Sequence, residues 1–125
     1  MSDSSVAVIA GAALADYHFG DIHAFGPERH QAFIDGMKVL GLSDLVEWLS
    51  PVTCKVDDLQ YFHNNEFIEQ IRQASKIGVG YLDQGDTPAR AGIFEAASTV
   101  VGSVLDMVDR VMKAQYRRGF IPIAG

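Results

Sequence analysis

Apolar residues fall along this chain in short runs and spaced stripes, separated by clusters of Gly, Pro, Asp and Ser. Val6-Ala7-Val8-Ile9-Ala10 is a β-branched run followed by small residues, and it predicts a buried strand. The loop after it, containing Gly20 and Gly26, is longer than a usual connection, and long ordered loops are often functional. Pro27 suits the first turn of a helix, where its fixed φ helps and its missing N–H is not needed. Phe33, Ile34, Met37 and Leu40 then recur at helical spacing, and Gly41 suits the left-handed residue that closes a helix. Leu45-Val46-Glu47-Trp48-Leu49 predicts a second strand, ended by Ser50-Pro51.

Asp57 and Asp58 open a short helix to about Phe62, where carboxylates favour the positive end of the helix dipole. His63-Asn64 predicts a break, with Asn64 capping a further helix through about Ala74. Lys76 to Asp86 reads as a glycine-rich loop, and Thr87-Pro88 as the start of the longest helix, running to about Arg117. Its apolar stripe is Ile93, Ala97, Val100, Val101, Val104, Leu105, Val108, Val111 and Met112. Gly119 is expected to end it, and Phe120 to Ile123 to form a third strand. Strands alternating with helices predict an α/β fold: one domain over residues 1–125, with a small three-stranded parallel sheet, flanking helices and right-handed crossovers.

Composition narrows the function classes. A net charge of −6 and a pI near 5.0 give no basic face for nucleic acid. The longest basic cluster, Lys113 to Arg118, fits a helix C-terminus better. A single cysteine, Cys54, excludes an internal disulfide and fits a reducing compartment. No apolar stretch reaches the ~18 residues that span a membrane, and Met1-Ser2-Asp3-Ser4-Ser5 lacks the positive charge of a signal peptide. The expectation is a cytoplasmic chain with neither a membrane nor a nucleic-acid partner.

Candidate chemistry is sparse. Asp16, His18, Asp21 and His23 are residue types that suit zinc. Their loop spacing puts them on no common helix face, so loop-ordering hydrogen bonds are the default reading. His63 falls at a helix junction, where its ring can bond a free backbone group. Asp86, ahead of Thr87-Pro88, either stabilises a helix N-terminus or presents two acceptor oxygens from a loop tip. There is no Gly-x-Ser-x-Gly elbow, phosphate loop or dinucleotide fingerprint, since Gly78-Val79-Gly80 follows a helix rather than a strand.

Four segments carry a resemblance. They are Tyr17-His18-Phe19-Gly20-Asp21-Ile22-His23-Ala24-Phe25-Gly26-Pro27-Glu28-Arg29, then Leu59 to Ile68, then Gly85-Asp86-Thr87-Pro88 with Gly92-Ile93-Phe94-Glu95, and the closing run from Arg118 to Gly125. Together they resemble the opening third of the histone deacetylase, acetoin-utilisation and acetylpolyamine amidohydrolase superfamily. That resemblance implies a partial arginase/deacetylase-like fold. It places Tyr17, His23 and a buried Arg29 in the loop beside an internal cavity, although His23-Ala24 stands where the family usually has His-Pro. It places Asp86 on the tunnel rim, accepting hydrogen bonds from the substrate backbone.

Complete family enzymes activate water on a zinc held by two aspartates and a histidine, helped by paired histidines. This sequence has no His-His pair, and Asp16-Tyr17-His18 and Asp21-Ile22-His23 come too early to match the family's Asp-x-His ligands. No catalytic residue, metal ligand or cofactor is therefore assigned to the chain itself. The resemblance implies a truncated or split N-terminal piece, inactive alone and dependent on self-association or a second chain. A stand-alone binding or assembly module is one alternative. A hydrolase with a new site near His18, Asp21 and His23 is the other. Phe120, Ile121 and Ile123 on an open edge strand are the expected contact for a homo-oligomer.

Overall fold

The structure, a computed structural model, describes residues 5–20, 23 and 26–123. Three strands, β1 (Val6–Ile9), β2 (Glu47–Leu49) and β3 (Arg118–Phe120), form a parallel sheet in the order β2-β1-β3. Ala7 lies opposite Glu47 on one side and Gly119 on the other, so β1 is the central strand. Central strands of parallel sheets are covered on both faces, which is why β1 is an unbroken apolar run. Ala7, Val8 and Ile9 are all buried.

Among the described residues five helices flank the sheet: α1 (Ala12–Ala15), α2 (Glu28–Val39), α3 (Val56–Leu59), α4 (Asn65–Ile77) and α5 (Ile93–Met112). Ala7 and Ile9 point into one core with Leu14, Val100, Met107 and Tyr116, so α5 covers that face. Val6 and Val8 point the other way, toward Phe33 and Met37 of α2. Between α2 and β2 runs a short 3-10 turn over Ser43–Leu45, shortening the strand expected from Leu45.

The helix ends show local chemistry at work. In α2, Gly41 takes a left-handed φ of 68°, Leu42 N–H reaches Met37 C=O at 2.9 Å, and Gly41 N–H reaches Lys38 C=O at 3.1 Å. This Schellman closure satisfies two orphan carbonyls. Asn64 caps α4, its side-chain oxygen accepting from Phe67 N–H at 2.8 Å.

Helix α5 departs from expectation at both ends. It begins after Gly92, not at Thr87-Pro88, because Pro88 is held in an antiparallel bridge with Tyr81 and Gly92 has a φ of 84°. It stops at Met112, not Arg117, since Ala114 adopts the left-handed conformation at φ 58°. Gln115 N–H then bonds Arg110 C=O at 2.9 Å and Ala114 N–H bonds Val111 C=O at 3.0 Å, a second Schellman closure.

The expected stripe on α5 is also split. Of its members Ile93 and Val100 are buried, whereas Val104, Leu105, Val108 and Met112 stay exposed; Ala96 and Met107, outside the expected stripe, are buried instead. The third strand begins two residues earlier than expected, which changes the edge. Phe120 is 50% exposed and leans on Phe33 with ring centroids 5.1 Å apart, but Ile121 and Ile123 are partly buried against the core.

Candidate functional site

Two segments meet: residues 16–20 with 23 after α1, and residues 78–92 between α4 and α5. The first is stacked on aromatic edges. Tyr17 and Phe19 lie 5.3 Å apart and Phe19 and His23 5.0 Å apart, both nearly edge-on. Burial of the Tyr17 ring disfavours its phenolate and pushes its pKa up. His18 folds back on its own loop, its Nδ1 accepting from Gly20 N–H at 3.2 Å.

The second loop is closed by its own backbone and one carboxylate. Leu82 N–H bonds Thr87 C=O at 2.7 Å and Ala89 N–H bonds Gly80 C=O at 2.8 Å. Inside that closure Asp83 Oδ1 accepts from the N–H groups of Gly85, Asp86 and Thr87 at 3.0, 2.9 and 2.9 Å. Its Oδ2 accepts from the Thr87 hydroxyl at 2.8 Å. These donors, those of Thr87 first, hold the Asp83 carboxyl down at about 2.

Two hooks tie the loops together. The first is Arg90, whose Nε donates to His18 C=O at 3.1 Å, one terminal nitrogen to Asp16 C=O, and the other to Ala91 C=O at 3.2 Å. A rigid guanidinium fork suits such convergent carbonyls. The second hook joins His23 Nε2 to Asp86 C=O at 3.1 Å. A carbonyl can only accept, so this nitrogen carries the proton. Behind the loops lies a recess of ≈ 360 Å³, with Tyr17, His63, Phe67, Asp83, Thr87 and Phe94 among its walls. His63 stacks on Phe67 at 4.7 Å.

The fold thus gathers Tyr17, His23 and Asp86 from distant parts of the sequence. Arg29 sits in the first turn of α2 and is exposed, contrary to the burial expected of it. The inward position of that turn falls one residue on, at His30, whose Nε2 accepts from Gly11 N–H at 3.1 Å. Asp21 of the expected loop cluster lies outside the described residues. His18 and His23 each turn a ring nitrogen toward a backbone group. Among the described residues no three His, Cys, Asp or Glu side chains converge as a metal site. The described residues therefore offer no three-ligand set for the family's zinc.

Sequence reasoning missed Asp83 and Arg90. Asp83-Gln84-Gly85 carries a usable sign, since Asp readily bonds backbone N–H groups just downstream in a turn. Arg90 carries none, its partners being more than seventy residues earlier.

Comparison with known proteins bears on the family and the fold. A model of the histone deacetylase domain matches residues 23–125. The acetoin utilization protein AcuC of Bacillus subtilis (strain 168) is 30% identical over 106 residues, covering 79% of this chain and 27% of that protein. The crystal structure of the HDA15 HD domain superposes with a TM-score of 0.85 at 20% identity, over 98% of this chain and 36% of that one. The chain thus spans 27% and 36% of the lengths of these two proteins. With the family model covering most of its length and the same scaffold beneath it, this chain belongs to the histone deacetylase family.

Proposed function

We propose that residues 1–125 form the opening part of a zinc-dependent deacetylase, supplying channel wall and substrate rim while the metal ligands come from polypeptide outside these residues. The chain by itself would then be inactive and would work when completed, either in one continuous protein or by a second chain. The observation that carries this reading is the His23–Asp86 hydrogen bond. It joins the two loops that the family resemblance assigns to the cavity and the rim. When bound, the family's zinc would polarise the acetyl carbonyl and activate water. The part left to this chain is orientation. The Asp86 carboxylate would accept N–H bonds from the substrate backbone, and Tyr17 and Phe19 would line the wall beside it.

The test is an assay of the purified chain with zinc, using an acetyl-lysine peptide and an acetylpolyamine. No hydrolysis is expected above the buffer rate. Stoichiometric zinc together with chelator-sensitive release of acetate would overturn the proposal and favour a site within the first loop.

A further inference from the structure

Two carboxylates three residues apart in the 80–89 loop are used in opposite ways. Asp83 accepts four hydrogen bonds from its own turn. The Asp86 carboxylate accepts none from the described residues, and the residue is exposed at the loop tip. The Asp86 main chain, by contrast, is held at both of its polar groups. Its N–H goes to Asp83 Oδ1 at 2.9 Å and its C=O receives His23 Nε2 at 3.1 Å. Fixing a residue's N–H and C=O fixes the direction of its Cα–Cβ bond, so only the two side-chain torsions of Asp86 are left to order when a ligand arrives. Such preorganisation cuts the ordering cost of binding.

We propose that Asp83 is the positioning residue for Asp86: by gathering the Gly85, Asp86 and Thr87 N–H groups it sets where the Asp86 oxygens meet the backbone N–H groups of a peptide substrate. The inference rests on the rim reading of Asp86 given above. Asp83 keeps this role throughout the usual pH range, because its carboxyl is held at about 2. Its own exposure means that removing it leaves the core intact.

The experiment compares the 125-residue chain with Asp83→Ala, Asp83→Asn, Asp86→Ala and the Asp83→Ala/Asp86→Ala double variant. Amide hydrogen exchange reports on the turn, and NMR titration with an acetyl-lysine tetrapeptide reports on binding. Asp83→Ala should speed exchange at residues 85–87 by about tenfold or more while α5 amides stay unchanged. It should weaken peptide binding by about tenfold, the scale of one lost hydrogen bond. Asp83→Asn should stay within about threefold of the parent, since its carbonyl oxygen accepts the same N–H groups. The double variant should bind no more weakly than Asp86→Ala alone, because a positioning residue acts only through its target.

Unchanged exchange at 85–87 in Asp83→Ala overturns the inference. So does full peptide affinity in Asp83→Ala when Asp86→Ala has lost it, and in that case the rim reading survives. A parent chain that does not bind the peptide, or binds it as well after Asp86→Ala, overturns the rim reading and this inference with it.

Discussion

Gly102 sits in the middle of α5, where glycine costs helix stability, and replacing it with alanine is nonetheless expected to be destabilising. The extended segment 52–54 lies directly on the helix at this point. Val52 N–H donates to Ser103 Oγ at 3.0 Å, Cys54 N–H to Ser98 C=O at 3.0 Å, and the Thr53 and Thr99 hydroxyls share a bond at 2.9 Å. With no strand beside it, the segment satisfies its backbone on the helix instead, and only a missing side chain lets the two approach. A Cβ on Gly102 would fall 2.6 Å from Thr53 C and closer still to Val52 O and Cys54 N. All three are backbone atoms, which cannot rotate aside.

The balance can be worked out. Moving the segment away weakens three hydrogen bonds at about 1 kcal/mol each. Residual crowding adds about 1 kcal/mol. Alanine's helix propensity returns about 1 kcal/mol. The net loss is about 3 kcal/mol, or roughly 10 °C in Tm for a domain of this size. Gly36 in α2 is the control, because nothing lies within 4 Å of a Cβ added there. Gly36→Ala should therefore show the propensity gain alone, about 1 kcal/mol at most. Thermal and urea denaturation of both variants test the argument. If Gly102→Ala melts at or above the parent while Gly36→Ala behaves as expected, segment 52–54 does not rest on α5.

The other expectations are briefer. Arg90→Ala should cost about 2 kcal/mol by freeing the Asp16 and His18 carbonyls, and Arg90→Lys should recover little of it, since one ammonium cannot span both; coincident urea curves for parent and alanine variant would refute this. Burial holds the pKa of His30, only 7% exposed, below its usual 6.5, so the unfolded chain takes up the proton first. Stability should be at its full value above 6.5 and fall as pH drops through that value toward the lower folded one, and His30→Gln should flatten this slope relative to the parent; parallel pH profiles would count against it. We also expect the isolated chain to self-associate along β3, whose outer edge has no strand partner among the described residues and whose Phe120 is half exposed. Light scattering that finds only monomer at tens of micromolar would rule that out.

What could be read from the sequence follows how local the cause is. Strand β1 declares itself through its β-branched run, α2 through Pro27 and Gly41, and α4 through Asn64, because a cap or closing glycine acts on groups within four residues. The limits of α5 were hidden for two different reasons. At its start, Pro88 has the right chemistry for a first turn, but the bridge to Tyr81 and the Ala89–Gly80 bond outweigh that preference. At its end, an alanine takes the left-handed place that glycine usually marks, so Gly119 drew attention to the wrong position. The site divides in the same way. Resemblance could nominate Tyr17, His23 and Asp86, because motif matching works residue by residue. It pointed to Arg29 for a buried guanidinium, yet Arg29 is exposed, and it gave no sign of Arg90, which bonds the carbonyls of Asp16 and His18. A guanidinium's partners are set by where two loops meet, and that meeting depends on α5 packing against β1 across the whole chain. Asp83 lies between the cases. Its turn is local and could have been found, but its consequence, an Asp86 main chain held at both polar groups, appears only when His23 closes on the same residue from sixty-three positions away.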